Sequence, residues 1–511
     1  MTANPPHDTS PGAGRLRRML VNSFYVAMGT YATHIFSLLI SIVLTRRLEK
    51  ETYGVYAVLL AMYGLLTMLV SFGAQPVIQR FLPEERARGN RRGAMAITVY
   101  GALTHLAGAL LIGAFCWLGR SWLADFYQID VAVFTRALPY FVLFTIFKWE
   151  AYILEECLVA HHLHKFRNIT LSLFQGLKWA LYFFFLPQDG SIITVMLFLV
   201  LSNAVLLLAF VGQVLRATLN VTDATREPLP VRRMVRYGLL RYAAQATVIG
   251  FFTDIDTQLI SHFRDPEQAG LYAFATRTVQ MLATLVPTFF LLAVITPVYI
   301  EEYTRRKDAG QLIRVFSFYN KVITSFLAPT LIGALILTEP IIGQVFDPKF
   351  LASATAFRVF FIGSFFFYFF NSCSFLLVIL EKPEYTLYSR VFAAYNVGMD
   401  LLLIPRYGIV GAAFATGSAM ALGYLFTFLL IRRTVAIRIP WVATARILIY
   451  AGVMGAAIWP LKGRINGIPM LLATVALGVV VYGLLAWRLP VFNGEERQRL
   501  NSAFGRRIFP G

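Results

Sequence analysis

Two lysines, Lys148 and Lys178, stand in the middle of long apolar runs, with Glu150 level with the first and Gln175 three residues before the second. At about 1.5 Å per helical residue, Lys148 lies roughly 16 Å and Lys178 roughly 15 Å into its run, near the midplane of a bilayer. An ionisable group at that depth costs at least about 2.5–3.5 kcal/mol, so it normally faces a partner or a watery cavity. Gln175 and Lys178 share one helix face at their spacing. A single acid can neutralise one lysine, as Lys148–Glu150 or Glu150–Lys178, and the other remains as surplus charge. That surplus favours a cavity that meets an anion with charge and hydrogen bonds.

A second group lies later in the chain. Asp254 and Asp256 fall near the outer end of one apolar run, and Arg277 lies roughly 10 Å below the same surface in the next. Asp256 and Arg277 share a depth, which makes them a candidate ion pair, either an interhelical brace or part of a cargo path. The two aspartates are about 200° apart on a helix and face different surfaces. Asp400, with Asn396 one turn away, is a further cavity candidate.

His34 sits near mid-depth of the first run with Asn22, Thr30 and Ser37. Its charge can change near neutral pH, which makes it a candidate proton site, although a buried neutral histidine is the commoner case. Arg241, also a candidate for the cavity, lies with Lys321, Arg358 and Arg390 within about two turns of an expected surface, where long side chains can reach water. The cluster His161, His162 and His164 has no clear fourth ligand and is not read as a metal site. Cys116, Cys157 and Cys373 lie in or beside apolar runs without paired spacing, as small buried hydrophobes do. No catalytic group, metal or cofactor is expected.

These residues need elements that cross a membrane. Of the 511 residues, 58% are hydrophobic and only 14% charged, against about 25% charged in soluble domains. Apolar runs of roughly 20 residues match a hydrocarbon core of about 30 Å. Polar breaks divide the chain into an expected fourteen helices, near 19–44, 54–79, 93–118, 137–159, 168–187, 190–214, 238–262, 270–299, 314–337, 355–380, 385–404, 410–431, 445–461 and 467–487. The net charge of +19 is concentrated in short loops, which excludes a nucleic-acid surface and orients the chain. About 29 basic residues fall in one set of alternate loops and tails and about 10 in the other, so both termini are expected in the cytoplasm.

The chain also repeats itself. "LTRRLEKETYGVYA" (Leu44 to Ala57) and "ISHFRDPEQAGLYA" (Ile260 to Ala273) lie 216 residues apart. Alignment pairs Glu51 with Glu267, Gly54 with Gly270, Tyr56 with Tyr272 and Ala57 with Ala273. Each phrase follows a first span and precedes a second, so the copies enter from the same side and form a parallel repeat with a site between the halves. The glycines let the chain re-enter the bilayer tightly, and the tyrosines suit an interfacial anchor. The expected organisation is a disordered cytoplasmic tail (1–18), a six-helix lobe (19–215), a cytoplasmic linker (216–237), a second six-helix lobe (238–431), an extra helix pair (432–487) and a cytoplasmic tail (488–511).

The first-span phrase, the seventh-span phrase "TDIDTQLISHFRDPEQAGLYAFA" and "IPRYGIVGAAFAT" (Ile404 to Thr416) resemble the polysaccharide-transport, Wzx-type branch of the MOP flippase superfamily. That resemblance implies an all-α fold of two six-helix lobes alternating in access. It implies movement of undecaprenyl-pyrophosphate-linked oligosaccharide from the cytoplasmic to the periplasmic leaflet of a bacterial inner membrane, for surface polysaccharide synthesis. The partners implied are that lipid-linked oligosaccharide, membrane lipids and other glycan-assembly membrane proteins, with no nucleic acid. A diphosphate crossing the bilayer needs cationic donors at depth, as Lys148 and Lys178 would supply. An ion-coupled drug exporter of MATE type should instead favour acids in its first lobe. A membrane enzyme of glycan assembly should carry a large outer loop or a carboxylate cluster, but the longest outer loop, near Arg120 to Arg136, is short. Glu155 and Glu156 point about 100° apart, so they do not converge.

Overall fold

Short polar residues start the helices of this protein. In the computed structural model Asn90, Asp130 and Ser191 precede helices, and their side chains accept from the backbone N–H of Gly93, Val133 and Thr194 at 2.9, 2.9 and 3.3 Å. Each satisfies a donor that the first helical turn leaves unpaired. The structure describes residues 29, 31–70, 72–225, 227–246, 253–283, 309–382, 384–489 and 491–498.

The helices named here are α1 (31–47), α2 (Lys50–Val70), α3 (Ala74–Ala87), α4 (Arg91–Leu118), α5 (Arg120–Phe126), α6 (Val131–Ala160), α7 (His164–Phe185), α8 (Ile192–Leu219), α9 (Val231–Ala246), α10 (Thr253–Phe263) and α11 (Pro266–Ala283). They continue with α12 (Ala309–Ile336), α13 (Ala354–Asn371), α14 (Val391–Thr434), α15 (Trp441–Ile458) and α16 (Ile468–Arg488). The fold is all-α. Among the described residues, eight helical stretches are long and apolar enough to cross a membrane, so the chain is a multi-span membrane protein. The spans expected near 19–44, 238–262 and 270–299 lie partly outside the described residues.

One expected span takes a different form. The run near 54–79 breaks between α2 and α3, where Phe72 and Gly73 have φ of 36° and 78°. An apolar run carries no sign of such a break, because hydropathy is blind to backbone handedness. The pair near 385–404 and 410–431 forms α14, which folds back on itself at Gly408 (φ 55°). Tyr395 and Ser418 hydroxyls meet at 3.3 Å across this hairpin, and Tyr385 and Thr434 at 2.8 Å. Pro405 cannot donate to the helical ladder and glycine tolerates positive φ, so the reversal is written in those two residues.

The chain divides into two compact units, the first Met1–Arg47, Leu66–Leu123 and Asp130–Ala246, the second Leu48–Leu65, Ala124–Ile129 and Thr247–Gly511. In the first unit α6 packs on α4 and α8, and α3 packs on α4, α6 and α9. Its core includes Phe81, Ile97, Leu154, Phe174 and Phe210. Gly73 and Gly238 lie backbone to backbone there, and a Cβ on Gly238 would stand 3.0 Å from the Gly73 carbonyl oxygen.

In the second unit the two repeated phrases lie against each other. A Cβ on Gly270 would stand 2.7 Å from the Gly54 Cα, and one on Gly54 would run into the Pro266 carbonyl. Lys50 pairs with Glu267 at 3.1 Å beside this crossing. The expected interfacial tyrosines are both buried: Tyr56 is 7% exposed, and Tyr272 is fully buried because its hydroxyl has a partner inside the protein. Residues 124–129 dock on α10, with the Tyr127 hydroxyl donating to Gln258 Oε1 at 2.7 Å and His262 stacked 4.2 Å from Phe126.

The C-terminal helices α15 and α16 pack on each other, and α15 packs on α12. Glu339 receives Arg358 and, at 3.0 Å, Lys462. Past α16, Glu496 folds back onto Lys321 at 2.9 Å, each side chain only 12% exposed. Lys321 and Arg358, expected to reach water, are held by carboxylates instead.

Candidate functional site

The first candidate site lies on the α6–α7 hairpin in the first unit. Trp149 is fully buried and donates to the Thr67 hydroxyl at 2.8 Å, which fixes the rotation of α6. Lys148, one residue earlier, points about 100° away from it. Its Nζ lies 5.8 Å from the centroid of Phe174, and Lys178 Nζ lies 5.3 Å from the same ring. Two lysine side chains thus share one aromatic ring, whose quadrupole favours their charged form.

Neither lysine makes an ion pair among the described residues, and neither pairs with Glu150. Glu150 Oε1 is buried without a hydrogen-bond partner there, as is Gln175 Oε1. Gln175 Nε2 donates to Ser37 on α1 at 3.4 Å. His34 lies three residues before Ser37 and so shares its face of α1; it is half-buried and has no partner among the described residues. Nearer the hairpin turn, Arg167 binds Glu155. The carboxylate within reach of the turn is therefore spent, whereas the charges deeper in the hairpin are not. Arg241 is exposed on α9, with no contact to these groups among the described residues, and Asn22 lies outside the described residues.

A second constellation forms in the other unit. Asp256 on α10 accepts from Tyr272 on α11, from Thr416 at 2.5 Å and from Asn396 at 3.3 Å. Asn396 also donates to Asp400 at 3.0 Å, and the two carboxyl groups lie within hydrogen-bonding reach of each other. All five residues are at most 1% exposed. Asp400 Oδ1 and Asn396 Oδ1 are buried with no partner among the described residues. Two facing carboxyl groups without a basic partner among the described residues call for a shared proton or a bound cation. The expected Asp256–Arg277 pair does not form. Equal depth fixes height but not azimuth, and Arg277 acts electrostatically on Asp254 and Tyr56 instead. Asp254 rests directly on Gly64 of α2, where any Cβ would collide with its carboxylate.

Sequence reasoning placed Asn396 beside Asp400 but missed Thr416 and the role of Tyr272. The only signal for Tyr272 was its place in the repeated phrase, and Thr416 closes the phrase "IPRYGIVGAAFAT". Phe174 was missed because one phenylalanine among many in an apolar run carries no mark.

Comparison with known proteins bears on the family and the fold. Residues 19–301, more than half of the chain, match the family described as polysaccharide biosynthesis protein. The chain belongs to the polysaccharide biosynthesis protein family. This family member is 23% identical over 407 residues to an uncharacterized membrane protein of Methanocaldococcus jannaschii, covering 74% of this chain and 77% of the relative. Among solved structures it is similar to lipid II flippase MurJ in an inward closed conformation, with a TM-score of 0.71, 13% identity, and 94% of this chain and 99% of that one covered. It is also similar to an inward-facing multidrug resistance MATE family transporter of the MOP superfamily, with a TM-score of 0.63, 14% identity, and 79% and 94% covered. At these identities the likeness shows the fold alone: this family member shares the fold of those two transporters.

Proposed function

We propose that this protein is a flippase that carries a lipid-linked oligosaccharide across a bacterial inner membrane for cell-surface polysaccharide synthesis. The observation that carries the reading is the pair of lysines, Lys148 and Lys178, whose Nζ atoms lie 5.8 and 5.3 Å from the Phe174 ring centroid and which make no ion pair among the described residues. A phosphate or diphosphate linkage cannot enter hydrocarbon bare, and two cationic donors at mid-depth replace part of its hydration. Family membership supports a polysaccharide-related cargo, and the similar flippase MurJ carries lipid II. In this reading the cytoplasmic leaflet is the loading side, both termini are cytoplasmic, and the duplicated halves 19–215 and 238–431 alternate in access.

Asp256 and Asp400 then serve as the coupling site, exchanging a proton or a monovalent cation as the protein changes state. A drug exporter fits the first unit less well, because a cationic drug would meet two lysines rather than an acid.

The test is Lys178. Lys178→Ala should leave abundance near normal and abolish surface glycan, with lipid-linked intermediate accumulating, while Lys178→Arg retains part of the activity because charge and donors persist. If Lys178 only served Glu150, the double change Lys178→Gln with Glu150→Gln would restore flipping; that restoration would sink the substrate role.

A further inference from the structure

In the first unit the last turn of α3, the turn after α6 and the end of α8 meet around a cavity of about 350 Å³. Arg86, His161, Leu163, Asn220 and Thr222 are among its lining residues. The cavity is distinct from the lysine site, since His161 lies thirteen residues beyond Lys148, about 20 Å along α6.

The acids near the cavity are already engaged. Glu84 binds Arg80 at 2.8 Å and Arg88 at 2.7 Å, and reaches Arg233 at 4.0 Å. Glu85 binds Arg88 at 3.1 Å and Asn90 at 2.6 Å. Glu155 binds Arg167, and Glu156 accepts from Gln75 at 3.0 Å and Gln79 at 2.9 Å. Arg86 stands among these arginines, yet its guanidinium has no partner among the described residues.

Other donors in the cavity are also unspent. The Thr222 hydroxyl and the Asn220 side-chain amide make no hydrogen bond among the described residues. His161 is 5% exposed, and its Nε2 meets the Thr218 hydroxyl at 3.2 Å, while Nδ1 has no partner among the described residues. Burial, then the neighbouring Arg86 and His162, pushes its imidazole down to about 4, so the ring is neutral near pH 7. The wall is braced: Arg91 Nε donates to the Val221 carbonyl at 2.9 Å, and Ala224 N–H donates to the Gly89 carbonyl at 2.8 Å. A braced cavity with one uncommitted guanidinium, neutral donors and no lining carboxylate has the chemistry of an anion receptor.

We propose that this cavity binds a phosphorylated group, phosphate or diphosphate, through Arg86 with Thr222, Asn220 and His161. The proposal rests on the flippase reading only for the side it faces, which the charge bias assigns to the cytoplasm. Two sources share this chemistry: a soluble phosphate compound and the headgroup of a phospholipid or lipid-linked cargo.

The full-length protein carrying Lys178→Ala serves for the test, so that anion binding is measured without an intact lysine site and independently of transport. Inorganic pyrophosphate is titrated by calorimetry into protein in phosphatidylcholine nanodiscs. In a second arm, native mass spectrometry counts phosphatidic acid retained against phosphatidylcholine. Adding Arg86→Gln should weaken whichever ligand binds by roughly tenfold or more, as loss of a charge-assisted bond does, while Arg86→Lys retains part of the binding and guards against misfolding. Pyrophosphate binding alone assigns a soluble source, phosphatidic acid alone a headgroup, and either supports the site. Binding of neither ligand, or binding as tight in Arg86→Gln as in its parent, overturns it, even where Lys178 proves essential for flipping.

Discussion

The crossing of Gly54 and Gly270 makes a quantitative demand on stability. A methyl group on Gly270 would stand 2.7 Å from the Gly54 Cα and 2.9 Å from its nitrogen. Carbon atoms in contact settle at about 3.5–4.0 Å, so the helices would have to part by roughly 1 Å. Both neighbours are backbone and cannot rotate aside, and overpacking of this kind costs about 1–3 kcal/mol. Against it stands the gain from replacing glycine by alanine inside a helix, about 0.8–1.0 kcal/mol. Gly270→Ala should therefore be destabilising by up to about 2 kcal/mol. Gly212 in α8 is the control, because nothing lies within 4 Å of its would-be Cβ, and Gly212→Ala should gain up to about 1 kcal/mol. Reversible unfolding of the purified protein in detergent, followed by tryptophan fluorescence, compares the two variants with the parent. If Gly270→Ala proves as stable as Gly212→Ala, the backbones do not approach as described and the argument from the repeated glycine fails.

Asp400→Asn keeps a hydrogen-bonding group at the acidic cluster but removes one carboxyl, so the protein should stay folded while flipping loses its response to an imposed proton or sodium gradient. An unchanged response in reconstituted vesicles would remove the coupling role. At Glu339, burial pushes the carboxyl up, but hydrogen bonds from Arg358 and Lys462 outweigh this and hold it below its usual value of 4.5. A depressed acid stabilises the fold above its unfolded value, and that stability is lost as pH falls through the lower folded value. Melting between pH 6 and pH 3.5 should therefore show a larger acid loss in the parent than in Glu339→Gln. Glu496→Gln removes the partner of the mostly buried Lys321 and should expose the segment after α16 to trypsin while the spans stay intact, read as a shortened band on gels.

The membrane architecture was legible because bilayer thickness sets run length, and apolar runs of that length are hard to mistake. Position along a run was readable too, which is how Lys148 and Lys178 stood out. Azimuth was not. Asp256 and Arg277 share a level but face different neighbours, and the true neighbour of Asp256 is Asp400, 144 residues later. Distance in sequence hides such pairs, whereas the Asn396–Asp400 pair within one helix turn could be read. The break at Gly73 was invisible for another reason: a left-handed residue changes direction without changing hydropathy.

The turn at Gly408 does more than reverse the chain. Arg264, in the turn between α10 and α11, donates to the carbonyls of Ile404 at 3.3 Å and Pro405 at 2.6 Å, and a Cβ on Gly408 would stand 2.9 Å from Gln268 Oε1. Two helical hairpins are thus pinned tip to tip. Asp256 lies eight residues below that pin on α10, about 12 Å by helical rise. A rotation of about 5° between the hairpins would then carry Asp256 on the order of 1 Å away from Asn396, Asp400 and Thr416, enough to break hydrogen bonds of ordinary length. In the coupling role proposed above, the pin would act as a fulcrum and the acidic cluster as the end of a lever, so that one proton or one ion would be geared to the angle between two pairs of helices.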